Sequence, residues 1–224
     1  MTGVHARGLL FDLDGVLVDS SAAIRRAWWE WAGAKGLDPA TTFAAGHGRQ
    51  TMDHIRAVAP HLAVPAEERR IDELEARYAD AVEPQPGAGP LVASLAEVPW
   101  GVVTSCSAQA ARTRLERAGI GVPPVLVHAG DVGRGKPHPD GYLRGAELIG
   151  VDPAEVVVFE DAPSGIEAAV AAGMRVAGVC TTHDPHQLAG AAWLVEDLST
   201  VRVTRSVDSA TLLVHLRECD AARR

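Results

Sequence analysis

A chain of 224 residues with a formal net charge of -8 lacks the clustered Lys and Arg that displace counterions from a phosphate backbone, which argues against a nucleic-acid partner. Hydrophobic residues make up 47% and charged ones 22%, outside the disordered range, so one large domain or a core with a modest insert is expected. No stretch approaches the roughly 20 apolar residues that span a bilayer, and Cys106, Cys180 and Cys219 are scattered without a CxxC pair, so no membrane partner and a cytoplasmic location are expected.

The first apolar run, GLLFDL at 8–13, is continuous rather than alternating, the pattern of a strand buried on both faces. Residues 20–83 then read as helix after helix, through SAAIRRAWWEWAGAKG, QTMDHIRAVA and PAEERRIDELEARYADAV, and are expected to form a separate helical insert. EPQPGAGP at 83–90 marks a stiff turn back to the core. Further strands are expected at WGVVTS (100–105), EVVVFED (155–161), RVAGVC (175–180) and AWLVED (192–197). The Ala-rich helices AQAARTRLERAG, DGYLRGAELIG and SGIEAAVAAG lie between strands, each ending at Gly. Strand and helix in alternation predict an α/β fold, a Rossmann-like parallel sheet with helices on both faces. The expected core is 1–19 with 84–224, the helical insert 20–83, and TLLVHLREC a C-terminal helix.

Ligands of open parallel sheets collect beyond the carboxyl ends of the strands. Here those ends carry Asp12 and Asp14, Thr104 and Ser105, and Glu160 and Asp161, while a loop before a helix carries Lys136. Residues two apart on an extended segment point the same way, so Asp12 and Asp14 can face one site. Four carboxylates in one crevice need a cation or protons, and an oxygen-only donor set favours a hard divalent ion, Mg²⁺ above all. A divalent ion and Lys136 leave one negative charge, which a proton on Asp14 would remove. Such a site suits phosphoryl transfer: Asp12 attacks phosphorus, Asp14 exchanges the proton, and Lys136, Thr104 and the Ser105 amide hold the non-bridging oxygens.

FDLDGVLVDS, VVTS, GKPHPD and FEDAPSG together resemble the four ordered motifs of haloacid dehalogenase-like hydrolases, in the branch with a helical cap after the first motif. HGRQT, PGAGPLVASL and VTSCS lean the resemblance toward 2-deoxyglucose-6-phosphatases, glycerol phosphatases and β-phosphoglucomutase-like enzymes. The resemblance implies a Mg²⁺-dependent phosphatase for a small phosphorylated metabolite, a phosphosugar or polyol phosphate. Asp12 would be its nucleophile, Asp14 its acid/base, and Thr104, Ser105 and Lys136 its phosphate binders. Asp12, Asp161 and the Asp14 backbone carbonyl would ligate the metal, and Glu160 would do so directly or through water. His47, Gly48 and Arg49 would meet the substrate from the cap.

Other readings stay open: a β-phosphoglucomutase-type mutase, a phosphoglycolate phosphatase, a true dehalogenase and a non-catalytic binding protein. Related mutases carry a histidine ten residues after the acid/base, where this chain has Ile24. The dehalogenase reading is weakened by Asp14 with Glu160 and Asp161. Asp19 suits a helix cap as well as a family acid, and Trp28, Trp29 and Trp31 suit the insert's core. His183 and His186 lack the company of a metal pair, and EERRIDELEARYAD reads as a solvated face with i,i+4 ion pairs. A monomer or small homo-oligomer is expected.

Overall fold

The computed structural model describes residues 1–46, 49–205 and 211–219. The chain enters through strand β1 (Thr2–Ala6) and turns at once into β2 (Gly8–Phe11), whose four residues are all buried. After the short β3 (Val18–Asp19) come four helices, α1 (Ser21–Ala34), α2 (Pro39–Ala44), α3 (Thr51–Val58) and α4 (Pro65–Arg77). The return strand β4 (Glu83–Pro84) pairs antiparallel with β3, so the entry and exit of the helical segment lie side by side.

Regular α/β alternation follows. It runs through α5 (Ala88–Ala93), β5 (Trp100–Val103), α6 (Ala108–Arg117), β6 (Leu126–Val127), α7 (Asp140–Ile149), β7 (Val156–Glu160), α8 (Pro163–Ala171) and β8 (Arg175–Val179). The chain ends with β9 (Trp193–Val195), β10 (Val201–Arg205) and β11 (Leu212–Leu216). Six strands form one parallel sheet in the order β6-β5-β2-β7-β8-β9. β2 lies at the middle, where successive connections depart to opposite edges, and a crevice opens beyond the strand ends at such a point.

The continuous apolar runs have a direct cause. In β2, Leu9 and Phe11 face one hydrophobic cluster, with Leu91 of α5 and Leu115 of α6, while Leu10 faces the other, with Tyr142 of α7 and Ile166 of α8. Each fully buried Leu or Phe contributes about 1.5–3 kcal/mol. Phe11 pairs in register with Phe159 of β7, and their rings stack at 4.9 Å. Immediately beyond this apolar pair stand Asp12 and Glu160, so the core itself fixes where the acids emerge.

Between β3 and β4 the helices share their own cluster, built on Trp28, Trp31, Ile55, Ile71 and Leu74. Trp28 and Trp31 meet edge to face at 5.4 Å, and Trp31 Nε1 donates to Glu67 Oε2 at 2.8 Å, tying α1 to α4. Trp29, expected with them, is 42% exposed. Asp19 accepts the Ser21 N–H at 3.1 Å, a local bond at the start of α1.

Three expectations need correction. TLLVHLREC is strand rather than helix: Leu212, Val214 and Leu216 are buried in alternation, and β11 lies between β1 and β10 in an antiparallel sheet. The period of two was in the sequence, but the partner β1 lies two hundred residues away. β6 escaped notice as a two-residue edge strand just after Pro123 and Pro124. The EERRIDELEARYAD face is not wholly solvated, since Glu75 is buried with Ile71 and Leu74, and its ion pairs include Arg70–Glu73 at i,i+3 and contacts to Glu30 on α1 and Lys35 just after it.

Candidate active site

Asp12 continues the β2 ladder, its N–H donating to Phe159 O at 3.0 Å, and its carboxylate projects from the strand end. Lys136 reaches it from the loop before α7: Nζ lies 2.5 Å from Asp12 Oδ1, 2.5 Å from Glu160 Oε1 and 3.2 Å from Val103 O. All three side chains are nearly withdrawn from water, Lys136 at 9%, Asp12 at 11% and Glu160 at 1% exposure.

Glu160 is saturated with donors. Oε1 accepts from Lys136 and from the Tyr142 hydroxyl at 2.8 Å, and Oε2 accepts the N–H groups of Asp161 at 3.0 Å and Ala162 at 3.2 Å. A carboxylate offers about four lone-pair sites, so Glu160 has little capacity left for a further direct ligand. A Cβ on Gly165, one turn into α8, would overlap this carboxylate, which is why that position has no side chain. Asp161 is held by the Thr182 hydroxyl, and the Thr181 hydroxyl donates to Gly15 O at 2.6 Å, tying the β8 end to the turn after β2. Gly15 itself adopts φ +84, and a Cβ there would strike the Asp161 carboxylate.

The electrostatics follow from burying three acids around one ammonium. Desolvation pushes the Asp12 carboxyl up from 3.8 to about 7, against the pull of Lys136 and with help from Glu160 and Asp14. Burial, then Glu160 and Asp12, hold Asp161 well above the usual carboxylate range. Burial alone would lower Lys136, but Asp12 and Glu160 outweigh it and keep the ammonium charged. The cluster is short of positive charge at neutral pH.

Asp12, Glu160 and Asp161 place ligating oxygens within 4.8 Å of one another, the only such group among the described residues. The donor set, all carboxylate and short of cation, fits a hard divalent ion. The Asp14 carboxylate stands apart from it: Oδ1 accepts from Ser20 Oγ at 2.6 Å and Oδ2 from Arg114 Nη1 at 2.5 Å. The other arm of Arg114 donates to Glu75 Oε2 at 2.5 Å. Ser20, Glu75, Arg114, Tyr142 and Thr182 were not anticipated as site residues. A signal existed for two of them: Arg114 falls on the buried face of α6 with Ala110, Ala111 and Leu115, and Glu75 on that of α4.

The carboxylates, Lys136, Arg114 and Thr182 line a cavity of about 590 Å³ between the strand ends and the helical segment. Thr104 and Ser105 reach it after β5, and Ile24, Trp28 and Arg49 wall it from the helices. His47 and Gly48 lie outside the described residues. Thr104 uses its N–H in the sheet, donating to Val127 O at 2.9 Å, and its hydroxyl accepts the Cys106 N–H at 3.3 Å. His183 is at the cavity wall, its Nδ1 2.9 Å from the Thr182 hydroxyl. Among the described residues no helix is long and apolar enough to cross a membrane.

Comparison with known proteins agrees with this geometry. The haloacid dehalogenase-like hydrolase family matches residues 6–173. Hexitol phosphatase A of Escherichia coli is 39% identical over 94% of this chain and 100% of its own length. 2-deoxyglucose-6-phosphate phosphatase 1 of Saccharomyces cerevisiae is 34% identical over 91% of this chain and 93% of its own. CbbY from Rhodobacter sphaeroides, solved with phosphate, shares the fold with a TM-score of 0.77 at 23% identity, covering 87% of this chain and 95% of that one. The chain belongs to the haloacid dehalogenase-like hydrolases, on the phosphatase side of that family.

Proposed function

We propose that the protein is a Mg²⁺-dependent phosphatase that hydrolyses a small phosphosugar or polyol phosphate through an aspartyl-phosphate on Asp12. The observation that carries this reading is the meeting of Asp12, Lys136, Glu160 and Asp161 in one cavity between the strand ends and the helical segment. An Asp12 carboxylate oxygen attacks phosphorus as the ester P–O bond breaks, and Asp14 delivers a proton to the departing alkoxide. Asp14 then takes a proton from the water that attacks the phosphorus of the aspartyl-phosphate, which releases inorganic phosphate and restores Asp12. Lys136, the Thr104 hydroxyl and the Ser105 amide bind the non-bridging oxygens in both halves. Glu160, its lone-pair sites taken by Lys136, Tyr142 and two backbone N–H groups, orients Lys136 for that contact. Asp12, Asp161 and the Asp14 backbone carbonyl would hold Mg²⁺, which supplies charge neutralisation to the transferring phosphoryl group.

The helices from 20 to 83 act as a cap that excludes bulk water. A cavity of about 590 Å³ suits one small metabolite, and relatives named for hexitol, glycerol-1- and 2-deoxyglucose-6-phosphates support that class. Arg49, with His47 and Gly48 beside it in sequence, is the proposed cap contact to substrate. Ile24 gives the cavity wall an apolar side chain with no proton to exchange, which favours hydrolysis over return of the phosphoryl group to a second hydroxyl.

The test is phosphate release from a panel of sugar phosphates, polyol phosphates and phosphoglycolate, with Mg²⁺ and with EDTA. Turnover on phosphosugars or polyol phosphates is expected, lost on chelation and in Asp12→Asn. Undiminished activity in Asp12→Asn or in EDTA refutes the mechanism. Conversion of β-glucose 1-phosphate to the 6-phosphate without phosphate release would make it a mutase instead.

A further inference from the structure

The Arg114 guanidinium has both arms engaged by carboxylates, and it is among the most enclosed charges in the molecule. Its side chain is 5% exposed, and it lies between two carboxylates, Asp14 at 26% and Glu75 at 9% exposure. Exposed pairs of this kind contribute little, whereas a buried charge must be matched or the fold loses several kcal/mol. The three partners come from three places: Asp14 from the turn after β2, Arg114 from α6 on the sheet, and Glu75 from α4 in the helical segment. One ion triad therefore crosses the boundary between cap and core and ends on the proposed acid/base.

Its geometry is directional. The two arms of a guanidinium are fixed in one plane, so a carboxylate on each arm is fixed relative to the other, which the single ammonium of lysine cannot do. Nη1 holds Asp14 Oδ2 and Nη2 holds Glu75 Oε2, both at 2.5 Å. The second Asp14 oxygen is held by Ser20, the residue just before α1 at the cap's entry. Thus one Asp14 oxygen is held directly from the base of the cap, and the other through a guanidinium that a cap residue holds. Glu75 moves with α4, so lifting the cap would leave Arg114 with one partner and freedom to turn.

We propose that Arg114 is a positioning residue for proton transfer by Asp14, and that Glu75 makes this positioning depend on the seating of the cap. The inference rests on the phosphatase reading above. It assigns Arg114 and Glu75 no contact with substrate. They act by keeping the Asp14 carboxylate where the bridging ester oxygen arrives, and only when the cap is down. Water entering an open site would then meet an acid/base that is not aligned.

A purely structural tie between cap and core would slow all substrates alike, so the test varies the leaving group. Sugar and polyol esters release an alkoxide that needs a proton, whereas p-nitrophenyl phosphate releases a stable phenolate that does not. For Arg114→Gln, kcat on the best alkyl phosphate should fall about a hundredfold, the scale of a misplaced catalytic group, with KM changed by no more than about threefold. On p-nitrophenyl phosphate kcat should fall as well, because Asp14 must still deprotonate the water that hydrolyses the aspartyl-phosphate, but kcat/KM, which reports only the formation of that intermediate, should fall by less than about threefold. Glu75→Gln, which leaves the Asp14–Arg114 pair in place, should show the same selectivity at about tenfold, and Arg114→Lys should fall between wild type and Arg114→Gln. Asp14→Asn should share the selectivity, and adding Arg114→Gln to it should cost nothing more on the alkyl ester.

Equal losses of kcat/KM on both esters, an alkyl-ester change confined to KM, or additive losses with Asp14→Asn would overturn the proposal while leaving the phosphatase reading intact. Failure of the wild type to release phosphate from either ester would overturn both. If Arg114→Gln does not fold, Glu75→Gln decides, by selective loss or by none.

Discussion

Lys136→Met keeps a side chain of similar length and removes the ammonium that Asp12 and Glu160 share. Both ion pairs are buried, and removing one member of such a pair leaves uncompensated charge worth about 3–5 kcal/mol. In a chain of this size each kcal/mol moves Tm by roughly 2–4 °C, so the expected loss is about 10 °C at pH 8 in EDTA. The acids can relieve the penalty by taking up protons, and burial already holds Asp12 up to about 7. The loss should therefore be smaller at pH 6 than at pH 8, and saturating Mg²⁺ should recover part of it at pH 8. Calorimetric melts at the two pH values read this directly. Phosphatase turnover should fall about 10²–10³-fold, as for other fixed donors to a developing oxyanion. A stability loss under about 1 kcal/mol at pH 8, or one independent of pH, would refute the claim that Lys136 balances buried charge.

The wild type should show the same logic without mutation. Asp12 holds its proton up to about 7 when folded but releases it near 3.8 when unfolded, so its contribution to stability is lost as pH rises through that window. The contribution is on the order of 4 kcal/mol, and Mg²⁺ should raise Tm more at pH 8 than at pH 5; an equal rise at both refutes it. Tyr142 is fully buried and gives its hydroxyl to Glu160 at 2.8 Å. Tyr142→Phe should lower stability by about 1.5–3 kcal/mol in urea unfolding, the range for a bond to a charged acceptor, and a change below about 0.5 kcal/mol would contradict the role given to that bond.

The central strands and their terminal acids were legible because each is a local pattern. β2 and β7 are buried on both faces, so their residues are apolar up to the carboxyl end, and the acid there, Asp12 just beyond β2 and Glu160 closing β7, marks the site. The helix ends were legible for a related reason: Gly119, Gly150 and Gly173 all have positive φ, a conformation that favours glycine. β11 was misread because its window contains good helix formers, and only pairing with β1 and β10 selects the extended form.

The sequence by itself determined the parallel core, the helical segment after the first strand and the identities of Asp12, Lys136, Glu160 and Asp161, because strand periodicity and motif order are written in neighbouring residues. Only the tertiary structure decided how those charges are shared out. Glu160 is filled by four donors rather than left open, and Asp14 is bound to Ser20 and Arg114 rather than to the carboxylate cluster. Arg114 itself is shared with Glu75 on a helix that only folding brings alongside. The reason is physical: the matching of a buried charge depends on distance in space, and Asp14, Glu75 and Arg114 are neighbours there and nowhere along the chain.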